Sequence, residues 1–235
     1  MAGKNTQQIR CQDCQFREHS LFGALCNHEL EEVNEAKSCT VYKKGQVLLY
    51  EGTRPLGVFC INRGKVKIYK LGSDGKEQIV RIAKEGDILG YKAMISEETY
   101  PVTAETLEPC TICFLPKSEF LSLLSENQEF NQKLLKAVCH ELGVMADSLT
   151  NLAQKSVRER LALTLLMLKD TYGIDGQKEE VEINLTREDL ANIVGTATET
   201  LIRLLHDFKE ENLITSKGRK ITVTDPKGLV RVARI

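Results

Sequence analysis

Two groups of side chains in this sequence have types and spacings that carry chemistry. The first lies in GTATETLIRLLHDF, residues 195–208, where Glu199, Ile202 and Arg203 share one side of a predicted helix and leucines occupy the other. An arginine fork matches guanine O6 and N7, a glutamate accepts from cytosine N4, and a branched apolar side chain touches a thymine methyl. An ordinary surface helix with a Glu199–Arg203 pair four apart gains only about 0.2–0.5 kcal/mol, and it leaves the outward Ile202 without a purpose. The second group is eight cysteines, at positions 11, 14, 26, 39, 60, 110, 113 and 139. Nothing in MAGKNTQQIR resembles a signal peptide, so a cytoplasmic chain is expected, with thiols that are reduced or bound to metal rather than built into a disulfide framework. Cys60 and Cys139 lie in apolar patterns and read as small core residues.

The elements around the first group form a predicted winged helix-turn-helix domain over 155–235. SVRERLALTLLMLKDTYG is a helix, LTREDLANIVG a second, TATETLIRLLHDF a third, and LITSKGRKITV a hairpin. Thr186 before Asp189 and Thr196 before Glu199 give both later helices N-terminal capping signals, with Gly195 in the turn between them. Leu201, Leu204, Leu205 and Phe208 make the buried stripe, so Thr198, Glu199, Ile202, Arg203 and His206 project outward. The hairpin sets Lys217, Arg219 and Lys220 on a wing where they meet phosphates and position the helix without reading sequence. Thr186, Arg187 and Thr200 complete the expected contact set for double-stranded DNA.

Upstream, residues 39–116 alternate short β-rich runs with glycine turns, which predicts an antiparallel jelly-roll barrel. In KVKIYK the expectation is Val66 and Ile68 buried with Lys65 and Lys67 wet, and Asp74-Gly75 signals a hairpin. Residues 117–154 then read as one long amphipathic helix. Leu134, Val138, Leu142, Met145, Leu149 and Leu152 recur every three or four positions and suit a seam between two copies of the chain. Residues 1–38 form an N-terminal cysteine-bearing segment. The fold class is therefore α+β. A net charge of −1 excludes a generally basic coat, and no apolar run is long enough to span a membrane.

An enzyme is not expected. PCTIC at 109–113 has the P-C-x-x-C of zinc deaminases, but no H-x-E accompanies it. H-E-x-x-H, G-x-x-x-x-G-K and G-x-S-x-G are also missing. The rival to a DNA-binding protein is a zinc- or ligand-binding barrel whose C-terminal domain is structural or protein-binding.

The glycine-punctuated barrel with GDILG, the connecting helix and TREDLANIVGTATETLIRLLHDFKEENLI together resemble the Crp/Fnr family of bacterial transcription regulators, over about residues 11–225. The resemblance implies that Glu199 and Arg203 read the central base pairs of each half of a palindromic site, that the protein is a homodimer under allosteric control, and that GSDGKE at 72–77 occupies a position where relatives touch RNA polymerase. It departs from the cyclic-nucleotide members. Gly90-Tyr91-Lys92 and Pro101-Val102 stand where a Gly-Glu and an Arg-Ser or Arg-Thr would hold ribose and phosphate, so cyclic AMP is not expected to bind. Cys11, Cys14, Cys26 and Cys113 resemble the thiolates of the oxygen-sensing Fnr branch, which implies a [4Fe-4S] cluster. The gap from Cys14 to Cys26 is longer than in that branch, and Cys110 competes with Cys113 for the fourth place. A zinc site drawing on Cys39, His19 or His28, a thiol switch and unliganded cysteines stay open.

Overall fold

The computed structural model describes residues 9–173 and 181–235, so residues 1–8 of the expected N-terminal segment lie outside it. The chain divides into two compact units, one ending at Leu142 and lacking residues 71–79, the other made of Leu71–Ile79 and Gly143–Ile235.

In the first unit, two short 3-10 turns, Cys11–Asp13 and Leu21–Ala24, lead to helix α1 (Asn27–Ala36). Strands β1 (Ser38–Tyr42), β2 (Val47–Leu49), β3 (Gly57–Arg63), β4 (Val66–Leu71), β5 (Glu77–Ala83) and β6 (Ile88–Leu89) follow. Helix α2 (Tyr91–Ile95) then precedes β7 (Thr103–Thr106) and β8 (Cys110–Pro116). They form two four-stranded sheets, ordered β1-β8-β3-β6 and β2-β7-β4-β5, the double-sheet arrangement of a jelly roll. The strand reading needs one correction. Lys65 and Lys67 are only 5% and 7% exposed. Lys65 Nζ pairs with Glu85 at 3.3 Å, and Lys67 Nζ reaches Glu105 at 3.9 Å and lies 5.0 Å from the Tyr69 ring centre. Buried cations persist where carboxylates accompany them.

A second correction concerns the helix expected from residue 117. It is two helices, α3 (Lys117–Glu126) and α4 (Gln128–Gln154), broken at Asn127, whose backbone is extended. No proline is needed. The Asn127 side chain accepts from Phe130 N at 2.8 Å, capping α4, and donates to both Glu29 oxygens at 2.8 and 2.9 Å. Glu29 also accepts from Cys26 N at the start of α1, so one carboxylate fixes two helix starts. Phe120, Phe130 and Leu134 then pack with Leu30, Val58 and Leu115 in a core cluster. Leu134 is committed there and belongs to no seam, and Val138 packs on the same cluster.

The second unit holds the rest of α4, α5 (Val157–Tyr172), β9 (Glu182–Asn184), α6 (Arg187–Val194), α7 (Thr198–Glu210), β10 (Ile214–Lys217), β11 (Lys220–Val223) and α8 (Pro226–Ala233). Ser156 and Glu159 make a capping box at the head of α5. Leu161, Leu165, Leu190, Leu201, Phe208 and Ile221 are fully buried; each such side chain contributes about 1.5–3 kcal/mol of burial. The three-stranded sheet runs β10-β11-β9. The sequence reading missed α8, although Asp225 followed by Pro226 announces it. Asp225 Oδ1 accepts from Gly228 N at 2.9 Å with proline in the first turn. Among the described residues, no helix is long and apolar enough to cross a membrane.

Candidate nucleic-acid interface and thiol pocket

Helix α7 buries Leu201, Leu205 and Phe208 and leaves Glu199, Ile202, Arg203 and His206 exposed, with Leu204 half-buried. Ile202 is 52% exposed, so the outward apolar residue expected from the sequence is outward. No ion pair joins Glu199 to Arg203 among the described residues, while His206 lies 3.9 Å from Glu210. Thr198 and Thr200 are half-buried at the helix entrance. The cap there differs from expectation. Ala197 is the N-cap and Thr196 makes no capping bond; its amide instead donates to Ala191 O at 3.1 Å. The cap of α6 forms as expected, with Thr186 Oγ1 accepting from Asp189 N at 2.9 Å.

Between α6 and α7 the chain turns at Gly195, in the left-handed conformation at φ +72°, which an L side chain rarely adopts. The carbonyls freed at this turn are satisfied by three side chains that sequence reasoning did not single out. Arg160 of α5 donates to Val194 O at 2.9 Å, Gly195 O at 3.1 Å and Lys155 O at 2.9 Å. Gln78 donates to Asn192 O at 2.7 Å and Lys76 to Thr196 O at 3.3 Å, both from the hairpin segment Leu71–Ile79 that belongs to this unit. The available signal for Arg160 was a cation inside the otherwise apolar face of SVRERLALTLL.

The wing is a two-residue turn. Lys217 and Lys220 are register partners, Gly218 has φ +61°, and Lys217 and Arg219 are exposed. Lys220 is tied to Glu182 at 2.6 Å. Arg187 donates through Nη2 to Gly218 O at 3.0 Å, joining the start of α6 to the wing tip, and burial lowers its pKa. Its Nη1 is buried without a hydrogen-bond partner among the described residues. Beyond the wing, Arg231 reaches Asp225 at 3.5 Å and Arg234 reaches Glu159 at 3.3 Å.

In the first unit the charged side chains around the GYK segment pair with one another. Lys92 Nζ pairs with Glu141, Arg81 bonds Glu141 at 2.6 Å and Asp87 at 2.9 Å, and the Tyr91 hydroxyl donates to Glu141 at 3.0 Å. Burial opposes ionisation of Glu141, but Lys92, Arg81 and Tyr91 together hold its carboxyl below the ordinary value. Burial and the neighbouring carboxylate push the Tyr91 phenol upward.

The cysteines are partly gathered. Cys11, Cys14, Cys60 and Cys113 line one pocket of the first unit together with Lys37 and Asn62. Lys37 Nζ donates to Cys11 Sγ at 2.8 Å and Asn62 Nδ2 to Cys14 Sγ at 3.5 Å. Cys26 is exposed at the N-cap of α1 and is not among the pocket residues. Cys113 is disulfide-bonded to Cys39, its register partner on β1, against the expectation of reduced or metal-bound thiols. Residues 110 and 113, an odd number apart on β8, face opposite sides of the sheet, which settles their competition for the pocket. Cys110 is buried with its thiol donating to Glu108 O and Lys65 O, and burial pushes it up to about 11. Cys60, read from the sequence as core, packs against the core cluster and also lines the pocket, whereas Cys139, read the same way, is exposed. Among the described residues, no three or more His, Cys, Asp or Glu side chains are placed to hold a metal ion.

Comparison with known proteins agrees with this architecture. Residues 39–127 match the cyclic nucleotide-binding domain model and residues 159–232 the Crp-like helix-turn-helix domain model. The chain belongs to the Crp/Fnr family. Its curated relatives are transcription regulators rather than enzymes. The fumarate and nitrate reduction regulatory protein of Yersinia pestis is 29% identical over 96% of this chain and 90% of its own length. The anaerobic regulatory protein of Haemophilus influenzae is 28% identical over 95% and 88%. Among solved structures, FixK2 from Bradyrhizobium japonicum superposes with a TM-score of 0.75 at 23% identity, covering 83% of this chain and 96% of that one. A Crp/Fnr-family regulator from Thermus thermophilus gives 0.67 at 23%, covering 84% and 98%. This Crp/Fnr chain is thus a DNA-binding regulator with a cyclic-nucleotide-binding-like sensing domain.

Proposed function

We propose that the chain is a cytoplasmic, homodimeric regulator that reads a palindromic site in double-stranded DNA through α7 and positions it with the wing. The carrying observation is the exposed row Glu199, Ile202, Arg203 and His206 on a helix whose other side is locked into a leucine-rich core. Arg203 takes a guanine edge, Glu199 a cytosine amino group and Ile202 a thymine methyl. Thr186, Thr196, Thr198, Thr200, Lys217, Arg219 and Lys220 sit around the sugar-phosphate backbone, and Arg187 acts through the wing tip it binds. Residues 1–38, 39–116, 117–154 and 155–235 serve as cysteine segment, sensor barrel, dimerisation region and DNA-binding domain.

The dimer seam we assign starts at Leu135, not Leu134. Leu135, Val138, Leu142, Met145, Leu149 and Leu152 alternate in steps of three and four, and Leu135, Leu142, Met145, Leu149 and Leu152 are all exposed. Pairing two copies there sets two recognition helices on half-sites about 34–36 Å apart. The hairpin 72–77 is the surface assigned to RNA polymerase.

The signal enters through the N-terminal pocket. A [4Fe-4S] cluster needs four thiolates converging on one cofactor. Three of the expected set line the pocket, Cys26 does not, and the Cys113 sulfur is already bonded to Cys39. The residues as placed do not fit the cluster or a zinc ion. Thiol chemistry is the reading they support.

Selection of bound sequences from a random duplex pool with the full chain tests the DNA assignment. A two-fold symmetric motif whose central G·C preference is relaxed by Arg203→Ala supports it. No enriched sequence, or a motif unchanged by that substitution, rejects it.

A further inference from the structure

Three cysteines form a single row across the first sheet. Cys113 on β8 is the register partner of Cys39 on β1 and of Cys60 on β3, and directly opposed residues of antiparallel strands face the same side. The sulfur of Cys113 is bonded to Cys39, and the pair is sheltered at 8% and 2% exposure. What gives access to it is the pocket, which Cys113 lines beside Cys60 and opposite the dithiol Cys11/Cys14. Cys14 is tied to the strand that carries Cys60. Its sulfur accepts from Asn62 of β3, and Asn62 lines the pocket together with Cys60. Cys11 is fixed beside it, its amide donating to Asn34 Oδ1 at 2.8 Å and its sulfur accepting from Lys37.

We propose that this pocket is a thiol–disulfide exchange site in which the dithiol Cys11/Cys14 and the disulfide Cys39–Cys113 pass two electrons between them. The Cys14 thiolate attacks Sγ of Cys113. A Cys14–Cys113 bond forms, the Cys39–Cys113 bond breaks, and Cys39 leaves as a thiolate that takes the proton Cys14 gave up. Cys11 then attacks Sγ of Cys14 by the same chemistry, closing a Cys11–Cys14 disulfide and releasing Cys113, which takes the Cys11 proton. No outside reagent is consumed, and the reaction runs in either direction. Burial, with Cys11 and Cys14 close by, pushes the Cys60 thiol up, so it stays protonated and does not compete as nucleophile. Cys11 and Cys14 are half-exposed, so a small disulfide oxidises them from solvent, leaving as two thiols, and the oxidation is stored in the sheltered Cys39–Cys113 bond. This assignment gives the pocket a substrate class, low-molecular-weight disulfides, and makes Cys26 a bystander.

The test uses the full chain, equilibrated with reduced and oxidised glutathione, quenched in acid, alkylated and mapped as peptides without reduction. The wild type should interconvert Cys39–Cys113 and Cys11–Cys14 at a ratio independent of protein dilution. Cys11→Ser should accumulate the Cys14–Cys113 mixed disulfide with Cys39 alkylated; Cys14→Ser should keep Cys39–Cys113 and form no mixed species; Cys26→Ser should match the wild type. Alkylation of Cys39 and Cys113 at every ratio overturns the proposal, and so does a Cys11→Ser map without the mixed disulfide. Protection of Cys11, Cys14 and Cys113 that disappears only on adding an iron or zinc chelator overturns it in favour of a metal site. If Cys11→Ser does not fold, the dilution-independent ratio in the wild type decides. Every readout is a disulfide map, so the result stands whether or not the chain binds DNA.

Discussion

Replacing Arg160 by alanine should loosen the helix-turn-helix without touching its DNA-facing surface. The guanidinium holds Val194 O, Gly195 O and Lys155 O at 2.9, 3.1 and 2.9 Å. Hydrogen bonds to a charged group are worth about 1.5–3 kcal/mol each, and the half-exposed turn recovers some of that by admitting water. Counting the two turn carbonyls at the lower end gives a loss of about 2–4 kcal/mol in local stability. That corresponds to amide exchange about thirty to a thousand times faster in peptides covering residues 190–201. Hydrogen exchange of the full chain read by mass spectrometry measures it, with peptides of β3 and β8 as internal controls. Arg160→Lys keeps the charge but loses the fork, so it should recover part of the protection. DNA affinity should fall alike for all sequences, because α7 is misplaced rather than altered. Exchange within about threefold of the wild type for Arg160→Ala would show that the turn holds itself and that the three bonds are incidental.

Other outcomes follow from the same geometry. Arg203→Ala should cost about 1–3 kcal/mol on the preferred site and little on random duplex, whereas Lys217→Ala should weaken both alike, measured by fluorescence anisotropy. Glu141→Gln should lower stability by about 1–2 kcal/mol in denaturant titrations, discounted because Arg81 and Lys92 keep part of their water. Since the Glu141 carboxyl is held below its ordinary 4.5, that contribution is present above the unfolded value and is lost as pH falls through the folded one. The variant and wild type should therefore converge in acid. The double change Leu142→Glu and Met145→Glu should give monomers in sedimentation. Cyclic AMP should produce no heat in calorimetry, because Lys92 and Arg81 are already engaged with Glu141.

Much of this was legible in the sequence because period and punctuation point to one answer there. The stripe of Leu201, Leu205 and Phe208, Gly195 in the turn and the glycine-separated strands each follow from local rules. What could not be read depended on pairing across distance. Lys65 and Lys67 alternate like surface residues, and Glu85 and Glu105, brought in from other parts of the barrel, help make their burial tolerable. The break at Asn127 depends on Glu29 as well as on local capping, and Leu134 looks like its neighbour Leu135 until the core forms around Phe130. The cysteines followed the same rule. The resemblance grouped Cys26 and Cys113 with Cys11 and Cys14, whereas strand register groups Cys113 with Cys39 and Cys60.

The grip of Arg187 on the wing tip bears on how this protein would respond to ionic strength. That cation is occupied by Gly218 O, and Lys220, Arg231 and Arg234, though exposed, are matched to carboxylates, which leaves Lys217 and Arg219 as the wing cations without an ion pair among the described residues. Each phosphate neutralised displaces about 0.9 of a condensed counterion, so Lys217 and Arg219 release about two per subunit, and Lys220 adds about one more only by giving up Glu182. A wing with so few uncommitted cations makes binding less sensitive to salt than it is for a protein with a generally basic coat.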